Sequence, residues 1–430
     1  MKTMKMLTIC ILSGLAIGAI AQPDVKQLKV DKALTADAKT CLECHAEESP
    51  LIVHDWKESR HSHVGVTCID CHSRPADAPT AAQNCPGVKG TEVYVSPLVS
   101  PKTCARCHEQ EAREFGESGH LRARLQIETK DGLQKLMYHH EGQNHPEFQG
   151  GPDQTGCMQC HGSRIELDEN KRPTAETWPN CGMGTIYPDG EVGNCAACHT
   201  RHRFSIAEAR KPDACASCHL GPDHPDIEIF ISSKHGHVYQ SEGDEWTYDS
   251  PPDAWEPGDY RGPTCATCHQ SGIGALKTTH NISERLYWNA WAKRSSPRNS
   301  KDPMSPLTGD AEKGRAMMKQ VCSSCHSSLH TDGFFAQADK HVNLYNEAYY
   351  DPALKMLNEL KEKGLLDANP WNDEFSKIFY HLWHHEGRRM RQGALMGSAD
   401  YAHWHGSFEC MQDLYELQKI YKERMEAAAE

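Results

Sequence analysis

The sequence is poor in the material of an ordinary protein interior. Only 38% of its 430 residues are hydrophobic and 7% aromatic, and the mean hydropathy is −0.68. That is thin filling for the two or three domains such a length suggests. Long apolar runs are missing beyond the first twenty or so residues, which excludes a later transmembrane helix. No segment alternates convincingly enough to read as strands. Basic charge is in deficit as well, with 46 Lys and Arg against 59 Asp and Glu and a formal net charge of −13. Scattered cations on an acidic chain argue against nucleic-acid binding.

The one apolar run is an address. Lys2 and Lys5 precede MLTICILSGLAIGAI, which ends in Ala19-Ile20-Ala21 before Gln22. A charged start, a short apolar stretch and an A-x-A site read as a cleaved signal peptide over residues 1–21, with a retained anchor as the alternative. Cys10 then leaves with the leader. The mature chain is expected to be soluble and periplasmic or otherwise exported.

Cysteine and histidine are present in excess, at 20 and 27 copies. Sixteen of the cysteines fall into eight C-x-x-C-H motifs. These are Cys41, Cys44 and His45; Cys68, Cys71 and His72; Cys104, Cys107 and His108; Cys157, Cys160 and His161; Cys195, Cys198 and His199; Cys215, Cys218 and His219; Cys265, Cys268 and His269; Cys322, Cys325 and His326. Chance would supply roughly 0.06 copies at this composition, so the signature of c-type haem attachment is not accidental. Two thiols add to the porphyrin vinyl groups, and the adjacent histidine ligates the iron. Zinc ribbons do not demand a histidine after every pair, and a disulfide framework would not repeat one spacing. Eight haem c groups, about one per fifty residues, would replace the missing apolar core. Of the other cysteines, Cys85, Cys181 and Cys410, the expectation is one disulfide and one buried thiol.

Nineteen histidines lie outside the motifs. An iron held by two histidines is saturated and passes electrons, whereas one with an empty distal face can bind substrate. His61, His120, His202, His235 and His280 are the expected distal ligands. The rest come from His330, His341, His384 and His385, among which the sequence does not choose; His385 is carried forward.

The expected fold is mainly α with extensive loops, a multihaem cytochrome c fold organised around eight covalently attached haems, with long C-terminal helices. Gly- and Pro-rich loops such as GQNHPEFQGGPDQTG leave room only for short helices between motifs. Past the eighth motif the texture changes. Leu354, Leu357 and Leu360, then Phe375, Ile378, Phe379 and Leu382, recur at helical spacing. Phe408, Met411, Leu414, Tyr415, Gln418 and Tyr421 suggest the core-facing or subunit-facing stripe of a last long helix. Residues 22–330 are therefore expected to form the haem region, and residues 331–430 a helical region packed on it or on another subunit.

The eight motifs, the run CHTRHRFSIAEARKPDACASCHLGPDH, then SSKHG and THNIS, resemble the hydroxylamine oxidoreductase family of octahaem cytochromes c. The likeness covers nearly the whole mature chain and is strongest from Cys157 to Ile282. It implies that the fourth haem, held by Cys157, Cys160 and His161, is catalytic. It also implies that Asp223 and His224 reach over its open face. There the imidazole would carry protons and the carboxylate would hold it charged and oriented; the alternative is that Asp223 fixes the tautomer of one more distal ligand, His224. Oxidising members join the catalytic haem to a tyrosine of a neighbouring subunit, for which Tyr401 is the candidate, with Trp404 as the alternative register. Trp291 stands where oxidising members carry an active-site tyrosine, which favours reduction.

The resemblance further implies a homotrimer, a small nitrogen-oxide substrate, and a redox partner such as a cytochrome or quinone-linked protein. Oxidation of hydroxylamine to nitric oxide or nitrite is the first expectation, and reduction of nitrite or hydroxylamine to ammonium the second. A non-catalytic electron carrier is the third. A nitrite reductase whose catalytic haem uses a proximal lysine is disfavoured because the sequence contains no C-x-x-C-K.

Overall fold

The structure is a computed structural model that describes residues 34–83, 85–128, 156–222, 224–286, 311–368, 370 and 372–430. The expected leader, Asp223 and Trp291 lie outside them. The fold is mainly helical, as expected, and its elements follow the two textures of the sequence.

Up to the eighth motif the helices are short because each attachment site closes on itself. In C-x-x-C-H the last amide reaches back one helical turn to the first carbonyl. This bond is 2.9 Å in His108 to Cys104, 2.9 Å in His161 to Cys157, and 2.8 Å in His326 to Cys322. One turn places residues three and four apart on the same face, so both thiols and the imidazole project together. Local caps finish these turns. Thr264 and Thr267 exchange backbone and hydroxyl bonds around Cys265–His269, satisfying amides that so short a helix leaves open. The first motif rides on helix α1, Ala36–Glu48, capped by Thr35, whose hydroxyl accepts the Ala38 amide at 3.2 Å.

Among the described residues, strand structure is confined to a two-stranded antiparallel pair, Ser73–Arg74 with Tyr94–Val95, and a few isolated bridges. The pair is small but placed to matter. Just past it the Ser96 amide bonds the His72 carbonyl, and the Ser96 carbonyl meets His72 Nδ1 at 2.8 Å. Helix α2, Asp226–Ser232, follows the sixth motif.

The remainder is a helical assembly: α3 (Ala311–Ser323), α4 (Ser328–Leu344), α5 (Asp351–Glu362), α6 (Glu374–His381), α7 (Gly387–Leu395) and α8 (Glu409–Ala427). Its core gathers Tyr345, Tyr350, Leu360, Phe375, Phe379, Leu382, Met390, Cys410 and Leu417, all buried. Burying each large apolar side chain stabilises by about 1.5–3 kcal/mol. Asp373 caps α6 through the Ser376 amide at 2.8 Å and binds Arg424 of α8 at 2.7 Å. Burial raises its carboxyl, but these bonds outweigh that and leave it below the usual range.

On the last helix Cys410, Leu417 and Ile420 are buried and Leu414 and Tyr421 pack beside them, while Met411 is 50% and Tyr415 70% exposed, so the expected stripe divides between a core side and an outward side. The apolar spacing was shared by two faces, and the side chains of α6 select only one. One expectation is corrected: among the described residues there is no disulfide. Cys85, Cys181 and Cys410 are all free thiols; Cys410 is the buried one, and Cys181 is exposed with its sulfur 3.2 Å from the Gln159 carbonyl.

Candidate haem sites and the loop after the sixth motif

The histidines meet in pairs. His61 stands 6.2 Å from His108 between ring centroids, His202 6.2 Å from His72, and His120 6.0 Å from His219. His280 stands 6.4 Å from His199, and His235 6.1 Å from His326. Each pair joins one motif histidine to one expected distal histidine. Two metal–imidazole bonds of about 2 Å, with each ring centre about 1 Å beyond its nitrogen, require roughly 6 Å between centroids. The residues therefore fit a haem iron between them. Burial, with the facing imidazole, pushes His120 and His199 each down to about 4, favouring the neutral form that ligates.

The last distal candidates sit differently. His330 stacks on His326 at 4.5 Å, too close for an intervening metal. His341 Nε2 faces the Ala402 carbonyl at 3.0 Å. His384 Nδ1 meets the Tyr380 hydroxyl at 2.7 Å, and His385 stacks on His381 at 5.0 Å.

Thiols show which attachment sites adjoin. Cys41 lies near Cys68, Cys71 near Cys104, and Cys104 against Cys195. Cys198 lies near Cys215 and Cys218, Cys215 against Cys265, and Cys268 near Cys322. The motifs thus run first, second, third, fifth, sixth, seventh, eighth. The fourth branches off the sixth, where Cys160 contacts Cys218.

Around the fourth motif, backbones approach too closely for side chains. A Cβ on Gly182 would fall 1.9 Å from the Gly162 nitrogen, and one on Gly162, whose φ is +82°, 2.3 Å from the Thr185 nitrogen. Buried Arg124 ties the turn down by donating to the Gly162 carbonyl at 3.0 Å. His161 Nδ1 meets the Ala123 carbonyl at 2.9 Å, a bond that fixes the orientation of the ring.

The loop after the sixth motif is closed by three bonds. Ile227 donates its amide to the His219 carbonyl at 3.1 Å, Asp226 donates its amide to the His224 carbonyl at 2.8 Å, and the Asp226 carboxylate meets His219 Nδ1 at 2.8 Å. Burial lowers His219, but the bond and charge of Asp226 overturn this and lift it to about 9. His224 lies near the Cys218 thiol and 5.9 Å from His219. From the C-terminal helices Arg389 donates to the Pro222 carbonyl at 3.2 Å and pairs with Glu409 at 2.8 Å. A cavity of about 420 Å³ opens between Gly221, Pro222, Pro225 and Glu228 on one side and Arg389, Tyr401, His405 and Glu409 on the other. Tyr401 thus stands beside the loop of its own chain. Asp226 and Arg389 had no motif to betray them; only folding brings them to the site.

Comparison with known proteins agrees with these features. Residues 180–373 match the family described as seven times multi-haem cytochrome CxxCH. Residues 103–182 match cytochrome c554 and c-prime. A protein of Kuenenia stuttgartiensis, described as a probable nitrite reductase–hydroxylamine oxidoreductase fusion, is 27% identical over 341 residues, which is 70% of this chain and 35% of that protein. The chain therefore spans about a third of that relative.

This chain is a multihaem cytochrome c similar to hydroxylamine oxidoreductase-like proteins. Solved structures share its fold. A hypothetical multihaem protein superposes with a TM-score of 0.75 at 21% identity, over 93% of this chain and 98% of that one. A reducing hydroxylamine oxidoreductase-like complex of Kuenenia stuttgartiensis gives 0.63 at 20%, over 91% and 86%. No helix among the described residues of the cytochrome is long and apolar enough to cross a membrane.

Proposed function

We propose that this cytochrome is an exported octahaem oxidoreductase that acts on hydroxylamine at the group held by Cys157, Cys160 and His161. Its electrons pass between that site and the others, and its own residues handle the protons. The observation that carries this reading is the meeting of Cys160 with Cys218 beside His224. The fourth site meets the sixth there, and the His224 imidazole stands at the junction.

Haem, when bound, supplies the electron acceptors. Moving between hydroxylamine and nitrite also transfers several protons, which must pass through side chains. His224 is suited to this because a ring nitrogen of imidazole can both accept and donate a proton. Asp226 and the Ile227 amide close the loop 219–227 on His219, and His120 faces His219 at 6.0 Å. Arg389 fixes the backbone just before it. Asp223, in the role proposed for it, orients His224.

Oxidation to nitric oxide or nitrite is the first reading, with Tyr401 as the residue that would join the catalytic haem. Reduction towards ammonium is the second. It is favoured by the reducing relative of the same fold and by the seat of Tyr401 in its own chain's cavity. An electron carrier with eight saturated irons is the opposing case. The test is optical and mass analysis of the purified protein after hydroxylamine, nitrite or cyanide. Eight haems with one ligand-responsive haem are expected; eight unresponsive low-spin haems overturn the proposal. Subunits that stay joined after denaturation and disulfide reduction, with a haem–tyrosine adduct by mass, select oxidation; single chains select reduction.

A further inference from the structure

The motif histidines differ in what holds Nδ1. His72 and His161 meet backbone carbonyls at 2.8 and 2.9 Å. His45 and His269 have buried Nδ1 atoms without a hydrogen-bond partner. His108 has Glu111 at 4.0 Å, beyond hydrogen-bond reach. Among the described residues, His219 is the motif histidine whose Nδ1 meets a carboxylate at hydrogen-bond distance, Asp226 at 2.8 Å.

We infer that Asp226 is a positioning and potential-setting residue for the sixth haem, holding it more reducing than haems whose histidines meet carbonyls or nothing. This rests on the assignment of His219 as the iron ligand of that haem. A carboxylate accepting the Nδ1 hydrogen makes the imidazole richer in electrons and a stronger donor. A stronger axial donor favours ferric over ferrous iron and lowers the potential. A neutral carbonyl does this less, and an empty Nδ1 not at all.

The position gives this effect its use. The sixth motif lies near Cys198 of the fifth and meets Cys265 of the seventh and Cys160 of the fourth. It is the junction of the array. A junction haem held low is a stronger reductant towards the fourth site, so Asp226 favours electron delivery there, the direction of the second, reductive reading. The geometry leaves the carboxylate little freedom. Asp226 opens α2, its amide is fixed to the His224 carbonyl, and the Ile227 amide is fixed to His219.

The experiment uses the full haem-loaded chain. Wild type, Asp226→Asn, Asp226→Ser and Asp226→Glu are titrated potentiometrically, with optical and electron paramagnetic resonance readout, after haem content is counted. In the Asn and Ser variants, haem content should hold. One one-electron step should move to more positive potential, with a change in one low-spin signal, and the Glu variant should return it towards wild type. Superimposable titrations would overturn the inference and leave Asp226 a helix-end residue. Should the Asn and Ser variants lose haem, wild type must still show one low-spin signal of imidazolate character; its absence overturns the idea equally. These readouts do not depend on turnover. A shift that persists while His224→Ala leaves activity unchanged would reject the catalytic reading and keep this one.

Discussion

The region up to the eighth motif and the C-terminal helices solve the problem of an interior in opposite ways. The first has short turns, loops and facing imidazoles spaced for a metal, with few large apolar side chains buried among them. The second has tyrosine, phenylalanine and leucine packed from Tyr345 to Ile420. One is built to close around something it does not itself encode; the other closes on itself. The difference teaches where stability should depend on haem and where it should not.

The largest effect should come from withholding haem. Expressed without haem attachment, the full chain should be cut by protease across residues 34–310 while α5 to α8 resist, as read by mass spectrometry. Equal digestion of both regions would break the comparison. Next, His224→Ala should slow turnover by about 10²–10⁴ without reducing haem content, because the imidazole is assigned to protons. Loss of a low-spin signal would instead make His224 a ligand. Phe379→Ala, in the C-terminal core, should cost about 3–5 kcal/mol and lower the Tm of that region, again without reducing haem content.

The smallest effect concerns Asp413. Burial, with Glu386 and Glu409 nearby, pushes its carboxyl up to about 8, and one of its oxygens is buried without a hydrogen-bond partner. The folded state therefore holds this proton more tightly than the unfolded state. Stability is fully present below the ordinary carboxyl range near pH 4 and is lost as pH rises towards 8. Asp413→Asn should flatten that slope, raising Tm at pH 8 by about 2 °C or more while changing little at pH 4.

What could be read from the sequence follows the same divide. The attachment motifs are local and need one helical turn, so they were legible. His61, His120, His202, His235 and His280 could be named, but their partners could not, because each pair spans distances along the chain that only the fold closes. The stripe of α8 could be read as a stripe but not divided, because Phe408, Met411 and Tyr415 on its outward side share helical spacing with Leu414 and Tyr421 against the core. Asp226 escaped notice because its role depends on a seven-residue loop returning to His219. Cys85, Cys181 and Cys410 suggested one bridge, but the fold leaves all three thiols free.

A one-turn attachment site whose closing bond lies within five residues has a consequence for how such chains grow. Nothing distant must be copied with it, so a segment can be duplicated or inserted whole and still present two thiols and an imidazole in register. The array can therefore lengthen by adding modules, while the residues that set direction and proton traffic must be won separately, one contact at a time.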